Sequence, residues 1–130
     1  MKKKILIVED DPDLVYVLQR LMGLLGHDTI AAKTGTEAVK MAASDLPDLI
    51  ILDIMIPEMD GFEVSRKIRE NLATQGIPII AVTALTAFKD KQKCFQSGCI
   101  EYIPKPLIPT KLASSVEKML NSPPAEELGK

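Results

Sequence analysis

Lys4–Asp11 reads KILIVEDD, in which a short aliphatic run passes directly into three consecutive carboxylates. A brief apolar run bounded by polar residues has the pattern of a strand buried on both faces. Asp11 followed by Pro12 has the pattern of a helix cap with proline at the first helical position. One buried strand therefore hands over to a helix within a few residues. The handover also concentrates charge, because two unit charges ~5 Å apart repel by roughly 3 kcal/mol at an effective dielectric of about 20. Something cationic elsewhere in the chain must offset that cluster.

Working outward, DPDLVYVLQRLMGLLG repeats Leu14, Val17, Leu18, Leu21, Met22 and Leu25 at helical spacing, with Gly26 to close it. TIAA at 29–32 is a short strand candidate, and Thr34 with Glu37 forms a capping-box pattern for a helix to about Ser44. LIILDI at 49–54 is an apolar run interrupted only by Asp53. Asp60 and Gly61 then start a helix through about Leu72, and IPIIAVTA at 77–84 gives the next strand. A helix from about Thr86 to Gln96, stopped by Gly98, leads to IEYIP, and a final helix spans roughly Ile108 to Leu120. The spacing thus predicts one domain over 1–121 and a flexible tail over 122–130. Strand and helix alternate five times, which implies a parallel sheet covered by helices on both faces. Right-handed crossovers reduce this to a doubly wound, flavodoxin-like α/β sheet, and five strands favour the order 2-1-3-4-5.

At 130 residues the chain fits a single core, and a net charge of -2 argues against nucleic acid or a membrane as a direct partner. MKKK before ILIV imitates a signal peptide, but Glu9 and Asp10 end the apolar run too early, so a cytoplasmic protein is expected. Cys94 and Cys99 lack companion ligands and a disulfide framework and are read as core or near-surface thiols. His27 follows Gly26 in a turn and is expected to be solvated and without a role.

In such a sheet, ligands bind outside the carboxyl ends of the strands, near the point where strand order reverses. The first strand ends in Glu9 and Asp10, the third in Asp53, the fourth in Thr83, and the fifth runs into Lys105. Neither glycine-rich phosphate motif occurs, which removes support for nucleotide binding by backbone amides. Three carboxylates against one ammonium call for a divalent cation, and hard oxygen donors suit Mg²⁺. Asp11 has a separate task as a helix cap.

The set VEDDP, LDIMIPEMDGFE, AVTA and YIPKP, in that order and spacing, resembles the receiver domain of bacterial response regulators over about residues 3–120. The resemblance implies that Asp53 accepts a phosphoryl group from a phosphohistidine on a histidine kinase or histidine phosphotransfer protein. It implies Mg²⁺ held by Asp10 directly, Glu9 through water, Asp53, and the backbone carbonyl of Met55. Thr83 and Lys105 would bind phosphoryl oxygens, and Lys105 would be joined to Pro106 by a cis bond. Thr83 and Tyr102 would switch on phosphorylation. A downstream protein target would then read the fourth helix, fifth strand and fifth helix, with Phe88, Lys89, Lys91 and Tyr102. Such a module is a signalling phosphoacceptor rather than a turnover enzyme. It would either work alone or belong to a longer regulator or hybrid kinase.

Three positions depart from the family pattern. Pro104 replaces a small or hydroxylated residue and removes a backbone donor, which an edge strand tolerates. Met55 and Leu85, two places beyond Asp53 and Thr83, are apolar where polar residues in other members orient water, which predicts a long-lived phosphoryl group. The rival readings are an aspartyl-phosphate phosphatase or mutase, a flavin carrier of the same topology, and a pseudo-receiver that only docks partners. Met55 stands where the first needs a second acid, and the acidic turn after the first strand would repel a flavin phosphate.

Overall fold

A computed structural model describes residues 2–121; the tail read over 122–130 lies outside them. The elements alternate strictly: β1 (Lys4–Val8), α1 (Pro12–Leu24), β2 (Asp28–Ala32), α2 (Gly35–Asp45), β3 (Leu49–Leu52), α3 (Gly61–Glu70), β4 (Ile79–Thr83), α4 (Phe88–Ser97), β5 (Glu101–Pro104) and α5 (Pro109–Leu120). The five strands form one sheet in the order β2-β1-β3-β4-β5, every pair parallel. Both the fold class and the strand order match the expectation.

The period of two along each strand sorts the core into two layers. Ile5, Ile7, Leu49, Ile51, Ile80, Val82 and Ile103 pack with Leu18 and Met22 of α1 and Leu112 and Val116 of α5. Leu6, Val8, Ile50, Leu52, Ile79 and Ala81 pack on the other face with Ala38 and Ala42 of α2, Val64 and Ile68 of α3, and Cys94 of α4. Burial on both sides is the reason the strands read as unbroken apolar runs.

The starts of α1, α2 and α3 follow side-chain caps. Asp11 accepts from the Asp13 N–H with Pro12 in the first turn, and Asp60 accepts from the Glu63 N–H. Thr34 accepts from the Glu37 N–H at 3.1 Å, but Glu37 Oε1 returns its bond to the Lys33 N–H rather than to Thr34, so the capping box is one residue out of register. α3 ends at Glu70 and α4 begins at Phe88, both shorter than the spacing suggested.

His27 corrects the expectation of a solvated turn residue. Its side chain is 5% exposed; Nδ1 lies 3.3 Å from the Lys3 N–H and accepts from it, leaving Nε2–H to donate to Glu117 Oε1 at 3.1 Å. The imidazole therefore ties the start of the sheet to α5.

The C-terminal end of α4 is held from α3. Arg69 donates from Nε and Nη2 to the Gly98 carbonyl at 3.0 and 2.7 Å, and from Nη1 to the carbonyls of Gln75 and Ile77. A guanidinium at two helix C-termini also meets the negative end of each helix dipole. Gly98 has φ +116, and a Cβ there would lie 2.5 Å from Arg69 Cγ, so glycine is required twice over. Ser65 Oγ donates to the Ser97 carbonyl at 2.8 Å and accepts from Cys99 Sγ at 3.7 Å.

Both cysteines are buried, which narrows the expectation of core or near-surface thiols to the core. Burial, with smaller contributions from Cys99 and Asp90, pushes the Cys94 thiol up to about 11. Burial also raises Cys99, an effect that its hydrogen-bonding contacts with the Ser65 and Ser97 side chains oppose. The thiolate is the reactive form, so the folded chain should react with Ellman's reagent at least ~100-fold more slowly than the same chain in denaturant. Comparing stopped-flow traces of the two states checks this.

Candidate functional site

The sheet ladder extends one residue past three strands and fixes the backbones of Glu9, Asp53 and Lys105 at the rim. The Glu9 N–H donates to Ala32 at 3.0 Å, the Asp53 N–H to Val8 at 2.9 Å, and the Lys105 N–H to Thr83 at 2.9 Å. Because β1 and β3 are parallel neighbours with Val8 opposite Leu52, the next residues, Glu9 and Asp53, emerge side by side. The bond between Lys105 and Pro106 is cis, as the resemblance implied.

Lys105 reaches both acids. Its Nζ lies 3.0 Å from Glu9 Oε1 and 3.0 Å from Asp53 Oδ2. The remaining carboxylate oxygens are held by backbone amides: Glu9 Oε2 accepts from the Asp11 N–H at 3.1 Å and Asp53 Oδ1 from the Met55 N–H at 3.0 Å. Asp11 thus serves the site through its amide while its side chain caps α1. Asp10 is exposed, and one oxygen from each of Glu9, Asp10 and Asp53 falls within 4.8 Å of the others.

Burial raises the Glu9 pKa above the usual carboxylate range; the Asp11 amide and Lys105 oppose the rise and the charge of Asp53 adds to it. For Lys105, burial alone would favour the neutral amine, but hydrogen bonds to Glu9 and Asp53 and their charges outweigh it, so its pKa is raised. The ammonium therefore stays charged between the two carboxylates.

Thr83 is fully buried at the end of β4. Its Oγ1 accepts from the Leu85 N–H at 3.2 Å, and the Tyr102 hydroxyl donates to the Leu85 carbonyl. Lys91 Nζ sits 5.2 Å above the Tyr102 ring. Glu9, Asp10, Asp53 and Lys105 therefore form one cluster, while Thr83 and Tyr102 are joined through Leu85 beside it. Met55 enters through its backbone, its side chain being exposed.

Gly61, read from sequence only as a helix start, has a second part. Its N–H donates to the Ile54 carbonyl at 2.8 Å, and a Cβ would lie 2.5 Å from Ile54 Cα and 3.0 Å from the Asp53 carbonyl oxygen. The DG pair was the available signal for a turn, but nothing in it announced the close approach.

The donor set fits a hard divalent cation: three carboxylates converge, and one ammonium leaves them under-neutralised. A response regulator receiver domain model matches residues 5–117. PhoP of Bacillus subtilis (strain 168), an alkaline phosphatase synthesis transcriptional regulatory protein, is 38% identical over 120 residues, covering 92% of this chain and 49% of PhoP. The polar-differentiation response regulator DivK of Brucella ovis is 34% identical over 120 residues, covering 92% of this chain and 98% of DivK. The chain thus spans about half the length of the first relative and nearly all of the second. Among solved structures, the receiver domain of the sensor histidine kinase PA1611 from Pseudomonas aeruginosa PAO1 superposes with a TM-score of 0.86 at 30% identity, covering 94% of this chain and 100% of that one; it carries a magnesium ion in its active site cleft. The signal receiver domain of a histidine kinase from Syntrophus aciditrophicus gives 0.85 at 35% identity, covering 91% and 89%.

Fold, site and matches together define a receiver domain of two-component signalling. The chain belongs to the response regulator receiver family. Receiver domains are signalling phosphoacceptors that work with histidine kinases and downstream targets, and the pseudo-receiver and phosphatase readings are not favoured. Among the described residues, no helix is long and apolar enough to cross a membrane.

Asp10 tests the electrostatics of the cluster. Relieving one like charge should let Asp10→Asn melt about 2–5 °C above the unsubstituted chain in chelator. Added Mg²⁺ should raise the melting temperature of the unsubstituted chain and leave that of Asp10→Asn unchanged. Thermal melts with and without the ion read both effects.

Proposed function

We propose that in the cytoplasm Asp53 accepts a phosphoryl group from a phosphohistidine on a histidine kinase or histidine phosphotransfer protein, and that a downstream protein reads the resulting change of shape. The observation that carries this reading is the Lys105 ammonium at 3.0 Å from both Glu9 and Asp53 inside the carboxylate cluster. Glu9, Asp10, Asp53 and the Met55 carbonyl would hold the metal. When bound, Mg²⁺ would supply positive charge that offsets the charge of the phosphoryl oxygens.

The chain's own residues then divide the work. An Asp53 carboxylate oxygen attacks phosphorus in line; the P–N bond to the donor imidazole breaks, its electron pair returns to that ring, and the ring takes up a proton. Lys105 exchanges its contact with Asp53 for one with an equatorial phosphoryl oxygen and stays paired with Glu9. The Met55 N–H keeps the Asp53 carboxyl oriented. Esterification replaces one negative charge by a group carrying about -1.5 to -2.

Thr83 Oγ1, which accepts from the Leu85 amide in the resting chain, turns to donate to the new oxygen. Losing that bond loosens Leu85, whose carbonyl holds Tyr102. The response thereby passes to α4, β5 and α5, where Phe88, Lys89, Lys91 and Tyr102 form the output surface. The switch is a population shift between two conformations that the target distinguishes.

Incubation with a small-molecule acyl phosphate and Mg²⁺ should add about 80 Da, one phosphoryl group, to the intact mass. The gain should vanish in Asp53→Asn and fall sharply in chelator; phosphate on Asp53→Asn would refute the assignment. A second series concerns lifetime. Met55→Asn with Leu85→Glu should place water-orienting groups beside the ester and speed its loss by roughly tenfold. Decay of the phosphorylated fraction, followed by mass spectrometry, measures the difference, and equal half-lives would exclude the idea.

A further inference from the structure

The β3–α3 loop, residues 53–60, is gripped at two points. At its root, the Gly61 N–H bonds to the Ile54 carbonyl at 2.8 Å. At its tip, the Gly35 N–H, in the first turn of α2, bonds to the Pro57 carbonyl at 3.2 Å, and the Met59 N–H shares that carbonyl at 2.9 Å. Gly35 is buried, and a Cβ built on it would lie 2.3 Å from the Met59 carbonyl oxygen, 2.6 Å from Met59 Cβ and 2.9 Å from Val64 Cγ2. The nearest of these is backbone, which cannot swing aside as a flexible side-chain end can.

From this contact we infer that Gly35 is a positioning residue for the phosphoacceptor site: its missing side chain lets α2 seat the loop that carries Asp53 and Met55. The inference rests on the reading that Met55 and Asp53 contribute to a Mg²⁺ site. With a side chain at position 35, either α2 or the loop must give way. α2 is fixed by Ala38 and Ala42, both fully buried, and by its Thr34 cap. The loop is the softer partner, since Met55, Pro57, Glu58 and Asp60 are all exposed. Displacing the tip while the root stays on Ile54 moves Met55, whose N–H orients Asp53. The effect reaches the acids without any contact between Gly35 and the ion.

The ordinary expectation for this position runs the other way. Alanine is a better helix former than glycine and restricts the unfolded chain more, so with free space Gly35→Ala would stabilise the protein. The geometry instead calls for a lower melting temperature together with Mg²⁺ affinity reduced about tenfold. Val116→Ala, in the opposite core layer, supplies the control: it lowers the melting temperature and should leave Mg²⁺ affinity within about twofold. Isothermal titration of all three chains with Mg²⁺, and the Met55 amide resonance in chelator, give the readout. Wild-type affinity in Gly35→Ala, or an equal loss in Val116→Ala, overturns the inference while the metal site stands. Absence of Mg²⁺ binding by the unsubstituted chain removes the metal reading and this inference with it. If Gly35→Ala does not fold, a Mg²⁺ titration of the unsubstituted chain decides: the Gly35 amide resonance should shift along the Met55 saturation curve, and an unmoved resonance refutes the coupling.

Discussion

The structure turns on the parallel pairing of β1 with β3. That register is set by the hydrophobic demand that Ile5, Ile7, Leu49 and Ile51 face one layer while Leu6, Val8, Ile50 and Leu52 face the other. A slip of one residue would turn every side chain to the wrong face. The same register leaves Glu9 and Asp53 adjacent at the rim, where their charges oppose each other. Core packing thus imposes an electrostatic cost at the strand ends, and Lys105, delivered by β5 from two strands away, offsets it. The ammonium is confined between the two acids and carried on the segment that follows β5.

Much of this was open to reading in advance, for a physical reason. Strands buried on both faces must be aliphatic throughout, so their existence was plain from KILIV, LIIL and IIAV; chemistry placed at their ends had to be polar and so stood out. Their limits were less plain because burial outlasts the hydrogen-bonded ladder. Ile54 is buried beyond the end of β3, and Pro78 still accepts from Ile50 before β4 begins. His27 was misread because its local setting is a turn and its partner Glu117 lies 90 positions away. Gly35 gave no sign for the same reason: what makes it special is the backbone of Pro57 and Met59, on a different element. Glu37, at least, was placed near the correct amide, missing by one residue.

α4 combines two unlike ends. Its C-terminus is tied down by Arg69, by Ser65 through Ser97, and by the left-handed turn at Gly98, whereas its N-terminus begins at Ala87 without a side-chain cap and presents Phe88 to solvent. Tyr102, Lys91 and Leu85 meet at that freer end. Loosely held helix ends are where low-energy local opening occurs. The arrangement suits the proposed switch, in which a change near Thr83 is expressed on the surface without disturbing the core layers.

Pro104 carries a consequence of another kind. Since the Lys105 N–H points inward to Thr83, the nitrogen of Pro104, one residue back, faces the open margin of the sheet and carries no hydrogen to offer. β5 is also only four residues long and starts with a charged glutamate. A foreign strand approaching this border finds a gap where a donor would stand, which discourages the sheet-to-sheet accretion to which exposed borders are prone. The absent donor at Pro104 thus makes this border a poor template for the addition of another strand.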